Sequence, residues 1–495
     1  MSDPTTTPVA DPRRWKALGV LGLIQFMLIL DVTVVNVALP NIKEDLGFSQ
    51  PGLAWVVNGY VLMAGGLLLL GGRLADVLGR RRLFLLGVGV FAIASATCGA
   101  AVNPEMLVVS RFLQGAGEAL AAPASLGLIA VLFPDPIERM KALGLWGGIA
   151  GLGGTSGTVI SGVLVDLADW RWIFFINLPV AIYAFVMVPR LVDESQMTRD
   201  GRRPDYWGAI TGTAGLILLV DGLIEAAEHS WGSSNVLLPL LGGLALLALM
   251  FWIESVSEAP LIPLSFFRNR TRVVTNFVTL FFASSFFTYF FLLTLFEQQL
   301  LDWSPMKSGL SYLPFGISIG AGIGIGTALM PRIGVKPLFA AGFFGCAIGL
   351  FHTSGIGVDA TYLADIVPGM VLLGFFSGVS FPTIGNASLH EVTGQDSSLA
   401  SGVQAAMQQV GGALGLATLV TLALRHAADQ VREGVQPAIA LVDGYELAYL
   451  VSAALCVVGG ILVLLLLEHV IAEPRNPLAA DLESELPETD ASPSS

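Results

Sequence analysis

Charged side chains inside long apolar stretches are the residues of this sequence best placed to do chemistry. Asp31 lies about halfway along the first apolar run, and Arg111 and Glu118 share a later run. An ionised carboxylate within lipid costs roughly 2.5–3.5 kcal/mol even on lenient insertion scales. We therefore expect Asp31 to face a cavity and to be protonated part of the time. Such a residue suits a proton carrier or a counter-ion for a cationic solute, and a structural hydrogen bond to a neighbouring helix is the alternative.

Three polar residues of the later run share one helical face, because Gln114 and Glu118 follow Arg111 by three and seven residues. This face should point to the protein interior or a water-filled cleft. Burial favours the protonated form of Glu118, whereas a nearby guanidinium favours the ionised form. If burial outweighs the guanidinium, we expect Glu118 to be a second protonation site that can also attract organic cations. The alternative is an Arg–Glu pair that only holds helices together. Asn36 joins the candidate proton-coupling and substrate site, with a packing hydrogen bond as its alternative role.

A short joint between two apolar runs carries a candidate gating loop, made of Gly72, Asp76, Gly79, Arg80 and Arg81. The arginines orient the chain in a membrane, which leaves Asp76 unexplained. An acid here can cap a helix N-terminus or bridge an arginine across two halves of the molecule. Such a bridge would bias one conformation.

Weaker candidates lie elsewhere in the apolar runs. Gly157 and Gly162 belong to a stripe of small residues that favours close helix packing. Four further polar residues are candidates for the lining of a cavity: Asp221, Tyr289, Gln404 and Gln408. For Asp221, with Glu225 one turn later, placement at the membrane interface is the alternative.

The elements that position these residues must be membrane-spanning helices. The 495 residues are 54% hydrophobic and 13% charged, with mean hydropathy +0.73, whereas soluble proteins carry about 25% charged residues. This composition excludes a water-soluble enzyme, a disordered chain and a nucleic-acid binder. None of the five lysines follows a glycine, which excludes a phosphate-binding loop, so we expect neither nucleotide nor cofactor. Cys98, Cys346 and Cys456 lack metal-ligand spacing, so no metal site is predicted.

Apolar runs predict about fourteen spans, each near the 20 residues or so that a crossing requires. Their approximate limits are 16–39, 52–72, 83–102, 106–133, 142–166, 172–190, 206–226, 235–253, 273–296, 308–330, 338–354, 361–388, 399–424 and 445–467. Nineteen of the 25 Lys and Arg residues fall in one set of joints and five in the opposite set. This bias predicts that both termini are cytoplasmic.

The chain also contains a weak internal repeat. LGRRRLFLLG at 78–87 matches IGVKPLFAAG at 333–342 in four positions, at an offset of 255 residues. We interpret this repeat as a sign of two parallel halves around a site at the middle of the membrane. Chance similarity among apolar helices is the alternative. The predicted organisation is a cytoplasmic N-terminal tail (1–15), a six-helix bundle (16–190), a cytoplasmic linker (191–205), two additional helices (206–255), a second six-helix bundle (272–468) and an acidic cytoplasmic tail (469–495).

Three motifs together resemble the major facilitator superfamily, and specifically its fourteen-helix drug:proton antiporters of the EmrB/QacA subfamily. They are LDVTVVNVALP at 30–40, GRLADVLGRRRL at 72–83 and WRWIFFINLPV at 170–180. The resemblance implies the major facilitator fold, with two six-helix bundles and two extra central helices, an all-α polytopic membrane protein. It also implies alternating access. Where that family's fifth-helix motif has Gly-Pro-x-x-Gly-Gly, this chain reads Gly157, Thr158, Val159, Ile160, Ser161 and Gly162.

The expected function is therefore proton-coupled efflux of amphipathic or cationic organic compounds across the cell membrane, by a multi-pass protein that acts as a monomer. Its partners would be a small organic molecule, protons and the lipid bilayer. A dedicated exporter or symporter of one endogenous metabolite, antibiotic, amino acid or lipid is the first alternative. A non-transporting receptor or scaffold is the second. The expense of burying Asp31 and Glu118 argues against the second alternative.

Overall fold

The computed structural model describes residues 13–194, 205–257, 260–262, 266, 268–390 and 397–468. Three parts of the predicted organisation therefore lie wholly or largely outside the described residues: the N-terminal tail, the linker and the acidic C-terminal tail. The described residues form α-helices and two π-helical turns, and no strand occurs among them.

The helices of the first half are α1 (Arg14–Leu46), α2 (Ala54–Leu78), α3 (Arg80–Gly99), α4 (Pro104–Leu132), α5 (Pro136–Leu167), α6 (Trp172–Phe175) and α7 (Asn177–Leu191). Two central helices follow, α8 (Tyr206–Glu225) and α9 (Ser234–Val256). The second half contains α10 (Arg270–Leu295), a π-helical turn (Phe296–Leu300), α11 (Pro305–Ser311), α12 (Leu313–Ile333), α13 (Val335–Ser354), a second π-helical turn (Tyr362–Ile366), α14 (Val367–Ser388), α15 (Ser397–Arg432) and α16 (Pro437–Leu466).

Each predicted span falls on one helix or on one interrupted helix. Thirteen segments of the described chain are long and apolar enough to cross a membrane. The remaining predicted span, 142–166, falls on α5, a single helix of 32 residues with a length of about 48 Å. The span predicted at 308–330 is interrupted at Tyr312, two residues before Pro314. Proline lacks an N–H and disfavours helical geometry in the residue before it.

Several helices begin where a capping side chain precedes a proline. The side chains of Asn103, Asp135 and Ser304 accept hydrogen bonds from the backbone N–H three residues later, at the starts of α4, α5 and α11. In each case proline occupies the next position, where its missing N–H costs the helix nothing. These local signals position the ends of α4 and α5, and α4 carries Arg111, Gln114 and Glu118.

The two halves repeat the same packing. In the first half α4 packs against α2 and α3, and α1 packs against α5 and α7. In the second half α14 packs against α12 and α13, and α10 packs against α15 and α16. The central helices α8 and α9 pack against each other, and α8 also contacts α2 and α15, one helix from each half.

The predicted repeat occupies equivalent places in the two halves. Gly79 separates α2 from α3 and Gly334 separates α12 from α13, with φ of 106° and 83° respectively. Only glycine adopts such angles without strain. Gly87 then packs α3 closely against α4, as Gly342 packs α13 against α14. The repeat is therefore structural rather than a chance similarity of apolar helices.

Both ends of the described chain lie at one face of the bundle. The Arg13 guanidinium donates to the carbonyl of Arg190 at the end of α7, at 3.2 Å. The backbone N–H of Glu468, after α16, donates to the Thr271 hydroxyl at the start of α10, at 3.4 Å. We call this the terminal face, and the other end of the bundle the opposite face.

Candidate functional site

The centre of the first half contains a fully buried ion pair between α1 and α4. The Arg111 guanidinium donates through NH1 to Oδ2 of Asp31 at 2.5 Å, and the two side chains are 1% and 0% exposed. The other carboxylate oxygen, Oδ1, accepts from the amides of Gln114 at 3.1 Å and Asn177 at 2.8 Å. The expectation that Asp31 faces a cavity is therefore wrong for this conformation, because neighbouring polar side chains enclose the carboxylate.

Arg111 connects this ion pair to a third helix. Its Nε donates to the carbonyl of Val56 on α2 at 2.8 Å, and NH1 also donates to Oε1 of Gln114 at 2.8 Å. The guanidinium carbon lies 4.3 Å from the centre of the Tyr60 ring, within the range of a cation–π interaction. Breaking a buried pair of this kind typically costs about 3–5 kcal/mol, because the remaining charge stays buried without its partner.

A second layer of hydrogen bonds holds the amides in place. Ser95 Oγ on α3 accepts from Gln114 at 3.0 Å and from Asn177 at 2.9 Å. The Ser95 hydroxyl itself donates to the carbonyl of Phe174 at 3.1 Å. Asn177 is the first residue of α7, so the break between α6 and α7 directs its amide towards Asp31. The network thus links α1, α2, α3, α4 and α7.

Glu118 lies one turn beyond Gln114 on the same face of α4 and is 9% exposed. The Arg–Glu pair of the alternative interpretation does not form, since Arg111 pairs with Asp31 on another helix. One carboxylate oxygen of Glu118 is buried without a hydrogen-bond partner among the described residues. The Tyr60 phenol interacts with this carboxylate, and Asp31 acts on it electrostatically. Glu118 is therefore a carboxylate that the ion pair does not neutralise.

Asn36 stands apart from this network. Its amide donates to the carbonyl of Val32 one turn earlier, at 3.4 Å, and the side chain is only partly buried. The Thr33 hydroxyl likewise bonds within α1, to the carbonyl of Leu30 at 2.9 Å. The packing alternative for Asn36 matches this geometry, and the structure does not bring Asn36 to Asp31.

The candidate gating loop at the terminal face is held within the first half. Asp76 pairs with Arg80 at 2.9 Å, and Arg80 also donates to the carbonyl of Gly127 at 3.1 Å. The expected bridge from Asp76 to the other half is absent among the described contacts, because its partner is one turn away on the same side. Gly72, at the start of this stretch, lies against Pro123 of α4.

The cap of α3 comes from Glu194 rather than from Asp76. The backbone N–H groups of Arg81 and Arg82 donate to the two oxygens of Glu194 at 3.1 Å each. A Cβ atom on Gly79 would lie 2.6 Å from Glu194 Oε1, so a larger residue would push this carboxylate away from the start of α3, in addition to the strain at the positive φ. The carboxylate also complements the positive end of the helix dipole.

The small residues of α5 bring the two halves together at the opposite face. Gly157 lies against Thr33 of α1, within the first half. Gly162 faces the second half, where an added Cβ would lie 2.6 Å from the carbonyl oxygen of Pro305 on α11. Gly309 of α11 in turn leaves no room for a Cβ beside the carbonyl of Thr158. The altered fifth-helix motif therefore packs backbone to backbone against α11.

A model of the Major Facilitator Superfamily matches residues 21–416. The chain belongs to the Major Facilitator Superfamily. It is therefore a multi-pass membrane protein of a transporter family, not an enzyme. Two sequence relatives and one solved structure illustrate what this chain is similar to. The sequence relatives carry more functional information than the distant structure does.

Among sequence relatives, the puromycin resistance protein pur8 of Streptomyces alboniger is 36% identical over 96% of this chain and 94% of its own length. The lincomycin resistance protein of Streptomyces lincolnensis is 39% identical over 83% of this chain and 84% of its own. Among solved structures, a POT family transporter in complex with a thioalcohol-conjugated peptide aligns with a TM-score of 0.67 at 14% identity, over 91% of this chain and 95% of its own. That last similarity shows the fold alone.

Three residues of the hydrogen-bond network around Asp31 were not predicted from the sequence. Tyr60 and Ser95 lie in apolar helices without a pattern that marks them, and their roles depend on contacts with α4 and α7. Asn177 had a signal, since it lies within the WRWIFFINLPV motif at 170–180.

The four weaker candidates for the lining of a cavity do not join the network around Asp31. Asp221 is partly buried on α8, one turn before Glu225, which pairs with His229 at 3.1 Å. Tyr289 packs its ring 5.9 Å from that of Tyr449 in the second half. Gln404 and Gln408 lie one turn apart on α15 with their amides 3.5 Å apart. None of these residues contacts the Asp31 network among the described hydrogen bonds.

Proposed function

We propose that the chain is a proton-driven exporter of amphipathic or cationic organic compounds. The observation that carries this proposal is the buried ion pair of Asp31 and Arg111, which links α1 to α4 through the charge of a carboxylate. The relatives support export rather than uptake, since two are named for resistance to puromycin and lincomycin and a third is named as a cephamycin export protein.

Protonation of Asp31 would convert the ion pair into a neutral acid beside a cation. The attraction between the two side chains would then fall, because it depends on the negative charge of the carboxylate. Arg111 would keep its bonds to Val56 and Gln114. Asp31 would keep only the hydrogen bonds from the amides of Gln114 and Asn177, so α1 would be held less tightly. In this proposal Asp31 is the proton-coupling residue, and Arg111 and Gln114 position it.

Glu118 supplies the attraction for substrate. Its carboxylate is not paired with Arg111 and retains a buried oxygen without a partner among the described residues. A cationic group that approached this oxygen would satisfy it, and would lose its attraction when Glu118 takes up a proton. Competition between proton and cation at Glu118 would favour exchange of one for the other.

The orientation belongs to the same proposal. The bias of Lys and Arg among the joints supports a cytoplasmic location for the terminal face, which carries the loop of Asp76 and Arg80. We infer that the two six-helix bundles move against each other as a monomer in the cell membrane. Residues 206–255 supply the two additional helices between the bundles.

An export assay tests the proposal directly. Inside-out vesicles that contain the protein, with an imposed proton gradient, should accumulate a fluorescent organic cation and release it when the gradient is collapsed. Addition of the compound should also dissipate the gradient. Accumulation that is indifferent to the gradient would contradict proton coupling, and a protein that moves neither compound nor protons would favour the receptor or scaffold alternative.

A dedicated exporter is the second candidate function. The relatives named for one antibiotic each, puromycin and lincomycin, favour it, whereas a relative named as the multidrug resistance protein Stp favours a broad substrate range. Drug sensitivity of a host without its own exporters, measured over a panel of neutral, monocationic and dicationic compounds, separates the two. Resistance to a single chemical class would support the dedicated exporter.

A further inference from the structure

A second buried carboxylate lies in the other half of the molecule and plays no part in the network described above. Glu297 is fully buried in the π-helical turn Phe296–Leu300 that continues α10. The hydroxyls of Ser308 and Ser311, both on α11, donate to its two oxygens at 2.6 Å and 2.7 Å. Isolated π-helical turns within α-helices occur frequently at functional sites.

No cation pairs with Glu297 among the described residues, in contrast to Asp31. Lys307 is the positive group that acts on it, but this side chain is exposed and its ammonium lies 4.0 Å from the centre of the Trp303 ring. The other titratable groups that face Glu297 are acids: Tyr289 on α10, Tyr312 after α11, Tyr362 in the second π-helical turn and Tyr449 on α16. A buried carboxylate without a cation is costly in its ionised form.

Ser311 can serve Glu297 in both protonation states. Its Oγ lies 2.7 Å from Glu297 Oε1 and 2.7 Å from the carbonyl oxygen of Ser308. A hydroxyl has one proton and donates to one acceptor at a time. Beside an ionised Glu297 it donates to the carboxylate, and beside a protonated one it can turn to the Ser308 carbonyl and accept the carboxyl proton. The site therefore accepts a proton without moving heavy atoms.

Glu297 and its two serine partners lie where the two halves meet at the opposite face. The next residue, Gln298, donates to the carbonyl of Val37 on α1 at 2.8 Å. On α11, Pro305 and Gly309 lie on either side of Ser308 and pack against Gly162 and the Thr158 carbonyl of α5. Separation of α1 and α5 from α11 would therefore open the surroundings of Glu297 to water.

We propose that Glu297 is a proton-binding site whose occupancy is coupled to closure of the opposite face. Closure removes the carboxylate from water and so favours the protonated form. By reciprocity, a bound proton favours closure. The step adds one proton from water to a carboxylate oxygen, and no other bond forms or breaks. The inference rests on the proposed function, because Glu297 would be the site at which the inward-moving proton binds before the halves move.

The test measures closure without substrate or proton gradient. Spin labels at Val163 on α5 and Leu310 on α11, which are 36% and 43% exposed, report the separation of the halves in the full chain in lipid nanodiscs. We expect the short distance to dominate at acidic pH and to decline as the pH rises. Glu297→Gln should hold the short distance at every pH, because the amide is neutral and can bond both serines. Asp193→Ala, which removes an exposed acid at the terminal face, should keep the response to pH.

Ser311→Ala provides a second variant that remains informative if Glu297→Gln fails to fold. It removes a donor to the ionised form, and bonds to charged groups are the stronger ones, so the transition should move to higher pH by roughly one unit. A Glu297→Gln variant that titrates like the wild type, or a wild type without any pH response, overturns the proposal. If the protein gives either of these results but still exports substrate, the proposed function stands. Absence of export alongside the expected titration would instead overturn the proposed function alone.

Discussion

Asp31 and Arg111 are separated by 80 residues in the chain, and their side chains meet at 2.5 Å in the centre of the first half. Both are closed off from solvent. The pair costs desolvation free energy that apolar residues of similar volume would avoid. Its presence in a protein of a transporter family is therefore better explained by function than by stability, and the variants below separate these two contributions.

Asp31→Asn should abolish gradient-driven export, because the amide cannot take up or release a proton at physiological pH. It should also destabilise the protein by about 3–5 kcal/mol, since Arg111 keeps its charge without the carboxylate. Export in vesicles and thermal denaturation in detergent give the two measurements.

A double variant, Asp31→Asn with Arg111→Gln, separates coupling from folding. Removal of both charges leaves no unpaired ion, so at least half of the lost stability should return. Export should remain absent, because the proton site is still missing. Full gradient-driven export by either variant would contradict a role for Asp31 in coupling.

Glu118→Gln should narrow the substrate range towards neutral compounds. Arg111 keeps its partner Asp31 in this variant, so we expect near-normal thermal stability. Resistance to dications should fall most, by roughly tenfold, which corresponds to about 1.4 kcal/mol of lost attraction. A resistance profile over neutral, monocationic and dicationic compounds measures the effect. A stable variant with an unchanged profile would show that Glu118 does not contact substrate.

The helices were largely predictable, because hydropathy and length alone determine which segments can cross a membrane. The fourteen predicted spans correspond to helices, and the glycines of the repeat, Gly79 and Gly334, lie at equivalent joints. The interruption at Tyr312 was not predicted, although Pro314 gives a local reason for it. The two π-helical turns had no signal in the pattern of apolar residues.

The site was predictable only in part. The sequence shows which charged residues are costly to bury in a membrane, but not which residues they contact. Asp31 and Arg111 were found separately. The only acid partner considered for Arg111 was Glu118, in the alternative interpretation, because the sequence was read one helix at a time. Glu297 was missed because it lies at the end of an apolar run, where a charge is ordinarily solvated. Its burial results from α11, which folds back over the end of α10.

Glu194→Ala should destabilise the terminal face by about 1–2 kcal/mol, since two N–H groups of α3 lose their acceptor. The neighbouring exposed acid provides the control, and Asp193→Ala should change little. Thermal denaturation of the two variants under identical conditions measures the difference. Equal stability of the two would mean that water replaces the Glu194 carboxylate without loss.

Both termini should face the cytoplasm. A reporter that is active only outside the membrane, fused after Arg475, should remain silent, and a reporter that is active only in the cytoplasm should give signal at the same position. The physical basis is the cost of moving short basic joints across the membrane. Activity of the external reporter would require an odd number of crossings or a reversed orientation.

Gly162→Ala should prevent closure of the opposite face while leaving the fold intact. The new Cβ would lie 2.6 Å from the carbonyl oxygen of Pro305, closer than such atoms approach, so α5 and α11 must separate. The added methyl lies at the contact between α5 and α11, outside the helix packing within each half. Export should therefore fall to background, and the variant should remain correctly inserted and monodisperse.

Gly154→Ala is the matched control for Gly162→Ala, because the same helix leaves room there: the nearest neighbouring atom would be a methyl of Ile29 at 4.0 Å. A cysteine placed at Met306, which is partly buried beside Gly162, reports the separation through its rate of alkylation. Alkylation should be fast with Gly162→Ala and slow with Gly154→Ala. If Gly162→Ala instead exports normally and protects the cysteine, then close contact between α5 and α11 is not required for the transport cycle.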